Sequence, residues 1–232
     1  MSSGGVARAA AGLPNPKKPW VAPVAGRHSG RIFTPSCIIA GMNAMSCILD
    51  DPEIRGAALP LTVAQYHHLS AQGIVPERTE LLQGVIIECM TKSPLHTFLV
   101  QRLARWLEPA VTAARFVRKE EPLTLANSEP EPDIAVVSGC PDDYRTAHPA
   151  TAAFVVEVAI ATLGIDRAKA AVYAAADIPE YWIVIPEAQT VEIFRRPSAS
   201  GYGTRLTLAT ADAVLQPEGF AVPPLSIGQL FS

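Results

Sequence analysis

"SEPEPDIAVV" (Ser128–Val137) decides how this chain is read. A loop crowded with acids and prolines gives way at once to a short apolar strand, and Asp133 stands at the junction. A second run, "AFVVEVAI" (Ala153–Ile160), sets Glu157 in equally apolar surroundings. Alternate residues of a strand share a face. Asp133, Ala135 and Val137 therefore point one way, and Ile134 and Val136 the other. In the second run Val155, Glu157 and Ala159 share a face, opposite Val156 and Val158. Two carboxylates thus lie on apolar strands that read as neighbours. A buried carboxylate without a partner is costly, so a cation, a hydrogen-bond network or a metal ion must compensate.

The flanking sequence supplies the rest of a mixed α/β sheet flanked by helices. "LPLTVAQYHHLSAQG" (Leu59–Gly73) reads as a short helix capped by Thr62 and ending near Gly73. "TELLQGVIIECM" (Thr79–Met90) reads as a hairpin turning at Gln83-Gly84. Ser93 caps a longer helix and Pro94 occupies its first turn. Leu95, Leu99, Leu103 and Trp106 or Leu107 form its expected apolar stripe, and Pro109 bends its far end. "RFVRKEEPLTL" (Arg115–Leu125) resembles an edge strand, with the opening stretch as a central one. "IDRAKAAVYAAAD" (Ile165–Asp177) predicts a helix with Ile165, Ala168 and Val172 inward. "PEYWIVIP" (Pro179–Pro186) and "TVEIFRRP" (Thr190–Pro197) are strands joined by a tight turn, and "GTRLTLAT" (Gly203–Thr210) follows.

The chain has 232 residues, 49% of them hydrophobic, enough for one sizeable core. Residues 1–58 carry no sustained period and read as a disordered or loosely attached extension, leaving 59–232 as the domain. Met42 and Met45 lie inside an apolar patch of that extension, and one of them is the expected translation start. The net charge is −3, which excludes a basic nucleic-acid coat protein. It is unevenly spread, with six Lys/Arg against three Asp/Glu in 1–58 and thirteen against nineteen beyond. An acidic body can still cut nucleic acid when a metal ion supplies positive charge. Cys37, Cys47, Cys89 and Cys140 are scattered, with no zinc-site spacing, and read as reduced thiols of a cytoplasmic protein. No apolar run approaches membrane-spanning length, and the start lacks the apolar core of a secretory signal.

A candidate partner for the two acids lies downstream. Asp166, Lys169 and Tyr173 fall at i, i+3 and i+7, on one helical face, and Glu80 precedes the hairpin turn. Glu80, Asp133, Glu157 and Lys169 together have the chemistry of a divalent-metal nuclease site. Hard oxygen ligands suit Mg²⁺ or Mn²⁺. Such an ion polarises a phosphate and lowers the pKa of a bound water, while the lysine holds that water or neutralises charge at phosphorus. Arg102, Arg105, Arg115, Arg118 and Lys119 are the nearest approach to a basic patch for DNA. The competing classes are a non-catalytic nuclease-fold module used for binding or dimerisation, and a glycosidase carboxylate pair. Lys169 and a 6% aromatic content speak against the glycosidase.

The runs "TELLQG", "SPLHTFLVQRLARWL", "SEPEPDIAVV", "FVVEV", "DRAKAAVYAAADIPEYWIV" and "VEIFRR" resemble, in order and spacing, the Uma-two family of the PD-(D/E)XK nuclease superfamily. The resemblance implies a restriction-endonuclease-like core and a metal-dependent DNA endonuclease. By that likeness Asp133 matches the Asp of the "PD" element and Glu157 the acid of the second strand. The superfamily lysine would stand at Ala159; here Lys169 on the following helix matches it. Glu80 matches an acid that helps hold metal, and the Val158 carbonyl is a further expected ligand. His96 matches a frequent family histidine, and His96 and Tyr173 are candidate substrate contacts. A homodimer is implied by analogy with enzymes that cut two strands, with "YWIVI" and its Trp182 as the sequence support. Two departures stand out, "AIATLGID" after the second strand and Ile185 where the family carries Asp.

Overall fold

The structure, a computed structural model, describes residues 51–111 and 114–232. The expected translation starts at Met42 and Met45, and most of the 1–58 extension, lie outside the described residues. Of that extension, Pro52–Ala57 is described as a fully exposed helix, α1, capped by the Asp51 carboxylate.

α2 (Val63–Ala71) begins where Thr62 and Gln65 form a reciprocal capping box. β1 (Thr79–Leu82) and β2 (Val85–Glu88) make the expected hairpin. Its two turn residues both have positive φ, 50° at Gln83 and 80° at Gly84. Gly84 has a second constraint, because a Cβ there would sit 2.3 Å from Cβ of Pro60. α3 (Pro94–Leu107) is capped by Ser93 and ends in a 3₁₀ turn carrying Pro109.

Six strands form the main sheet: β3 (Arg115–Lys119), β4 (Ile134–Ser138), β5 (Phe154–Val158), β6 (Glu180–Ile185), β7 (Thr190–Ser198) and β8 (Gly201–Leu208). They are ordered as in the chain, and every neighbouring pair is antiparallel except β5 and β6. The parallel pair needs a long crossover, which α4 (Leu163–Ala175) supplies. A last helix, α5 (Ile227–Phe231), packs against α3.

The alternation read from the sequence sorts the strands into two cores. Ile134, Val136, Val156 and Val158 pack with Leu99, Leu103 and Leu107 of α3. Ala135, Val137, Val155 and Ala159 pack on the other face with Val172 and Tyr173 of α4. Asp133 and Glu157 share the phase of the α4 face, as their spacing requires. Trp182 lies fully buried, edge-on to Phe154 at 5.0 Å, so it is a core residue and not an interface. Leu95 is half exposed, because His96 takes the inward position of the first turn. None of the described helices is long and apolar enough to cross a membrane.

Candidate active site

The site forms at one end of β4 and β5, where their apolar alternation meets acids. Ile134 pairs with Val156 and Ala135 with Val155, which sets Asp133 beside Glu157. Two hydrogen bonds lock them: the Val158 N–H donates to Asp133 Oδ2 at 2.7 Å, and the Asp133 N–H to Glu157 Oε2 at 3.2 Å.

α4 lays a polar stripe over these acids. Its inward face is Asp166, Lys169 and Tyr173, with Val172 beside them. The expected apolar stripe is corrected here: Ala168 is exposed and Ile165 only half-buried. Lys169 Nζ donates to Glu157 Oε1 at 2.9 Å and to Glu80 at 2.9 Å. The ammonium is therefore what lets two carboxylates stay buried side by side. Tyr173 is fully buried, and its hydroxyl donates to Glu157 Oε1 at 2.9 Å, so in this structure it orients Glu157.

Glu80 reaches the cluster because the hairpin is tied to the opening loop. Leu81 and Glu129 exchange backbone hydrogen bonds, and the Gly84 N–H donates to Asn127 O. The Glu131 N–H then donates to Glu80 Oε1 at 2.8 Å. Glu129 faces away from the cluster, accepting from His67 and from Thr124. On the other side, His96 Nε2 lies 2.9 Å from Asp133 Oδ1.

Glu80, His96, Asp133, Glu157, Val158 and Lys169 all line one cleft of about 130 Å³. Sequence reasoning missed Asp166, Glu131 and Cys89 as lining residues of that cleft. Asp166 had been placed on the Lys169 face, and that was its only signal. Ala159, where the superfamily pattern expects lysine, is buried in the core on the α4 face of the sheet.

The electrostatics are those of crowded negative charge. Six carboxylates (Glu80, Glu88, Glu131, Asp133, Glu157 and Asp166) share the cleft with two lysines, Lys92 and Lys169. Burial pushes the Glu157 carboxyl well above its ordinary range; Lys169 pulls it down, and Asp133 adds to the rise. Burial likewise raises Asp166 to about 6, against the pull of Lys169. Burial lowers the Lys169 pKa, but the Glu157 and Glu80 carboxylates outweigh it, so the ammonium is held firmly protonated. Burial, helped by Glu80, lifts the Cys89 thiol to about 11, which makes it a poor nucleophile. An oxygen-rich cleft with surplus negative charge fits a hard divalent cation. Asp133, Glu157, Glu80 and Val158 all line the cleft.

A family model described as "Uma2: Putative restriction endonuclease" matches residues 63–225. The chain belongs to the Uma2 family. The Uma2 match runs from the first residue of α2 to just before α5, and it contains every lining residue of the cleft. A solved structure described as a putative nuclease belonging to DUF820, from Anabaena variabilis ATCC 29413, shares the fold. It superposes with a TM-score of 0.60 at 18% identity, covering 74% of this chain and 98% of that one. No curated protein matches the chain.

The basic patch read from the sequence is divided in the structure. Arg118 is buried, paired with Glu121 at 2.6 Å, and stacked near Tyr144. Arg115 lies over Phe220 and Arg102 over Phe98. Arg105, Arg115 and Lys119 are exposed, Arg102 is half-buried and Arg118 buried.

Proposed function

We propose that this Uma2-family chain is a Mg²⁺- or Mn²⁺-dependent DNA endonuclease of the cytoplasm. It hydrolyses phosphodiester bonds at the cleft of Asp133, Glu157, Lys169 and Glu80. One observation carries the reading: a buried lysine stands 2.9 Å from two buried carboxylates, beside a third, at the wall of a cleft. A purely structural ion pair has no need of a cleft or of surplus acids.

When bound, the divalent ion polarises the scissile phosphate and acidifies the attacking water. The chain's own groups prepare that chemistry. The Val158 N–H and His96 hold Asp133 from two sides, and Tyr173 with the Asp133 N–H fixes the rotamer of Glu157. Lys169, kept protonated, places positive charge where the pentavalent phosphorus gathers negative charge. Cutting both strands calls for two such sites, so a homodimer is the assembly that fits this reading.

The test is nicking of supercoiled DNA with Mg²⁺ or Mn²⁺. Asp133→Asn is expected to lower the rate by about 10³-fold or more with the circular dichroism spectrum unchanged, and EDTA is expected to abolish cleavage. Cleavage that persists in EDTA, or in the variant, contradicts the proposal. A second reading, a binding module on a nuclease fold, is favoured by the half-exposed Ile160 in the altered loop after β5. It predicts no Mg²⁺ or Mn²⁺ binding by calorimetry.

A further inference from the structure

Lys169 satisfies only one half of the cluster. Glu80 and Glu157 share its ammonium, and Glu157 also accepts from Tyr173 and from the Asp133 N–H. Asp133 turns the other way. Among the described residues its Oδ1 meets no ammonium or guanidinium group, and its side-chain partner is His96 Nε2 at 2.9 Å. Glu120 stands on the same side. One ligand atom from each of His96, Glu120 and Asp133 lies within 4.8 Å of the other two.

His96 is an unusual residue for a helix's first turn. It is 8% exposed, and its Nδ1 is buried with no hydrogen-bond partner. Among the described residues the ring's polar contact is with Asp133. Two donor atoms 2.9 Å apart are spaced as adjacent ligands of one six-coordinate ion with bonds of ~2.1 Å. Among the described residues Glu120 pairs with Lys92 Nζ, 3.2 Å away and 38% exposed. An exposed lysine pair of this kind is readily displaced.

We infer that His96, Glu120 and Asp133 form a second cation position, sharing Asp133 with the proposed catalytic ion and taking a first-row transition ion in preference to Mg²⁺. The chemistry decides the class. Imidazole nitrogen beside two carboxylates suits ions that accept mixed nitrogen and oxygen ligands, whereas Mg²⁺ favours oxygen and water. The inference rests on the nuclease reading for its role in the cleft, and on the His96 geometry for its ligands.

The experiment is pulsed electron paramagnetic resonance of the full chain loaded with Mn²⁺, with calorimetry of Mn²⁺ and Mg²⁺ alongside. Wild type is expected to show nitrogen-14 modulation from a directly bound imidazole. His96→Gln is expected to lose that signal and to bind Mn²⁺ about tenfold more weakly, with Mg²⁺ binding changed far less. Glu120→Gln, which leaves the ring in place, is expected to keep the modulation while weakening Mn²⁺ severalfold. It supplies the answer if His96→Gln fails the folding check by circular dichroism. Absence of nitrogen modulation in wild type, or its persistence in a folded His96→Gln protein, overturns the inference. Glu157→Gln separates the two claims. Nitrogen modulation in a protein that never cleaves DNA retains this site and removes the nuclease reading. Cleavage that depends on Glu157 without nitrogen modulation does the reverse.

Discussion

Lys169 is the residue whose removal says most about the cluster. Methionine fills a similar volume without the charge, so Lys169→Met leaves Glu80 and Glu157 buried without their common cation. Losing one partner of a buried pair costs about 3–5 kcal/mol, and urea unfolding at neutral pH is expected to show a loss of that order. A loss below 1 kcal/mol would mean the acids do not depend on the ammonium. Asp166 gives a pH-dependent counterpart. Burial raises its pKa to about 6 from the ordinary carboxylate value. A raised carboxyl favours the folded state below its unfolded pKa, and that advantage is lost as pH rises through about 6. Asp166→Asn is therefore expected to stabilise the protein at pH 8 by up to about 3 kcal/mol, and to be nearly neutral at pH 4. Equal effects at the two values would contradict the assignment. The Thr162 hydroxyl that donates to Asp166 Oδ2 at 2.6 Å retains an acceptor in the amide.

Among the elements, the β1–β2 hairpin is the one whose geometry delivers a site residue from far along the chain. Gly84 combines a φ of 80° with close approach to Pro60. Gly84→Ala is expected to cost of order 1–3 kcal/mol, and to impair cleavage beyond that by loosening Glu80; a neutral thermal melt would refute it. This turn was legible in the sequence, because Gln-Gly between two apolar pairs carries a local signal. So was the Ser93-Pro94 helix start. The phase of Asp133 and Glu157 was legible too, since a strand's period of two leaves no choice of face. What misled was the inward face of α4. Periodicity arguments assume apolar residues point in, and α4 instead turns Asp166, Lys169 and Tyr173 inward over a polar site. Trp182 was misread for a related reason: the pattern "YWIVI" does not say which layer covers it. Partners such as Arg118 with His148, or His67 with Glu129, come from distant segments, and no local pattern announces them.

For the molecule as a whole, the fold gathers Glu80, Asp133, Glu157 and Lys169 at one end of β4 and β5, while Glu180 and Glu192 elsewhere in the sheet are each neutralised by arginine. α3 reaches that end with His96, α4 with Lys169, the hairpin with Glu80, and β4 and β5 with Asp133 and Glu157. Five segments therefore have to be held in register before the site is complete, which ties it to the stability of the whole domain. The net charge of −3 means that DNA must be met by local positive charge and bound cations, so cleavage is expected to fall steeply as salt rises. The central claim is that the Glu157–Lys169 cluster cuts DNA. Its most direct measurement is the rate of Mn²⁺-supported nicking of supercoiled plasmid, wild type against Glu157→Gln, both folded by circular dichroism. The account predicts nicking by wild type and a rate at least about 10³-fold lower in the variant. Equal rates in the two proteins would contradict it.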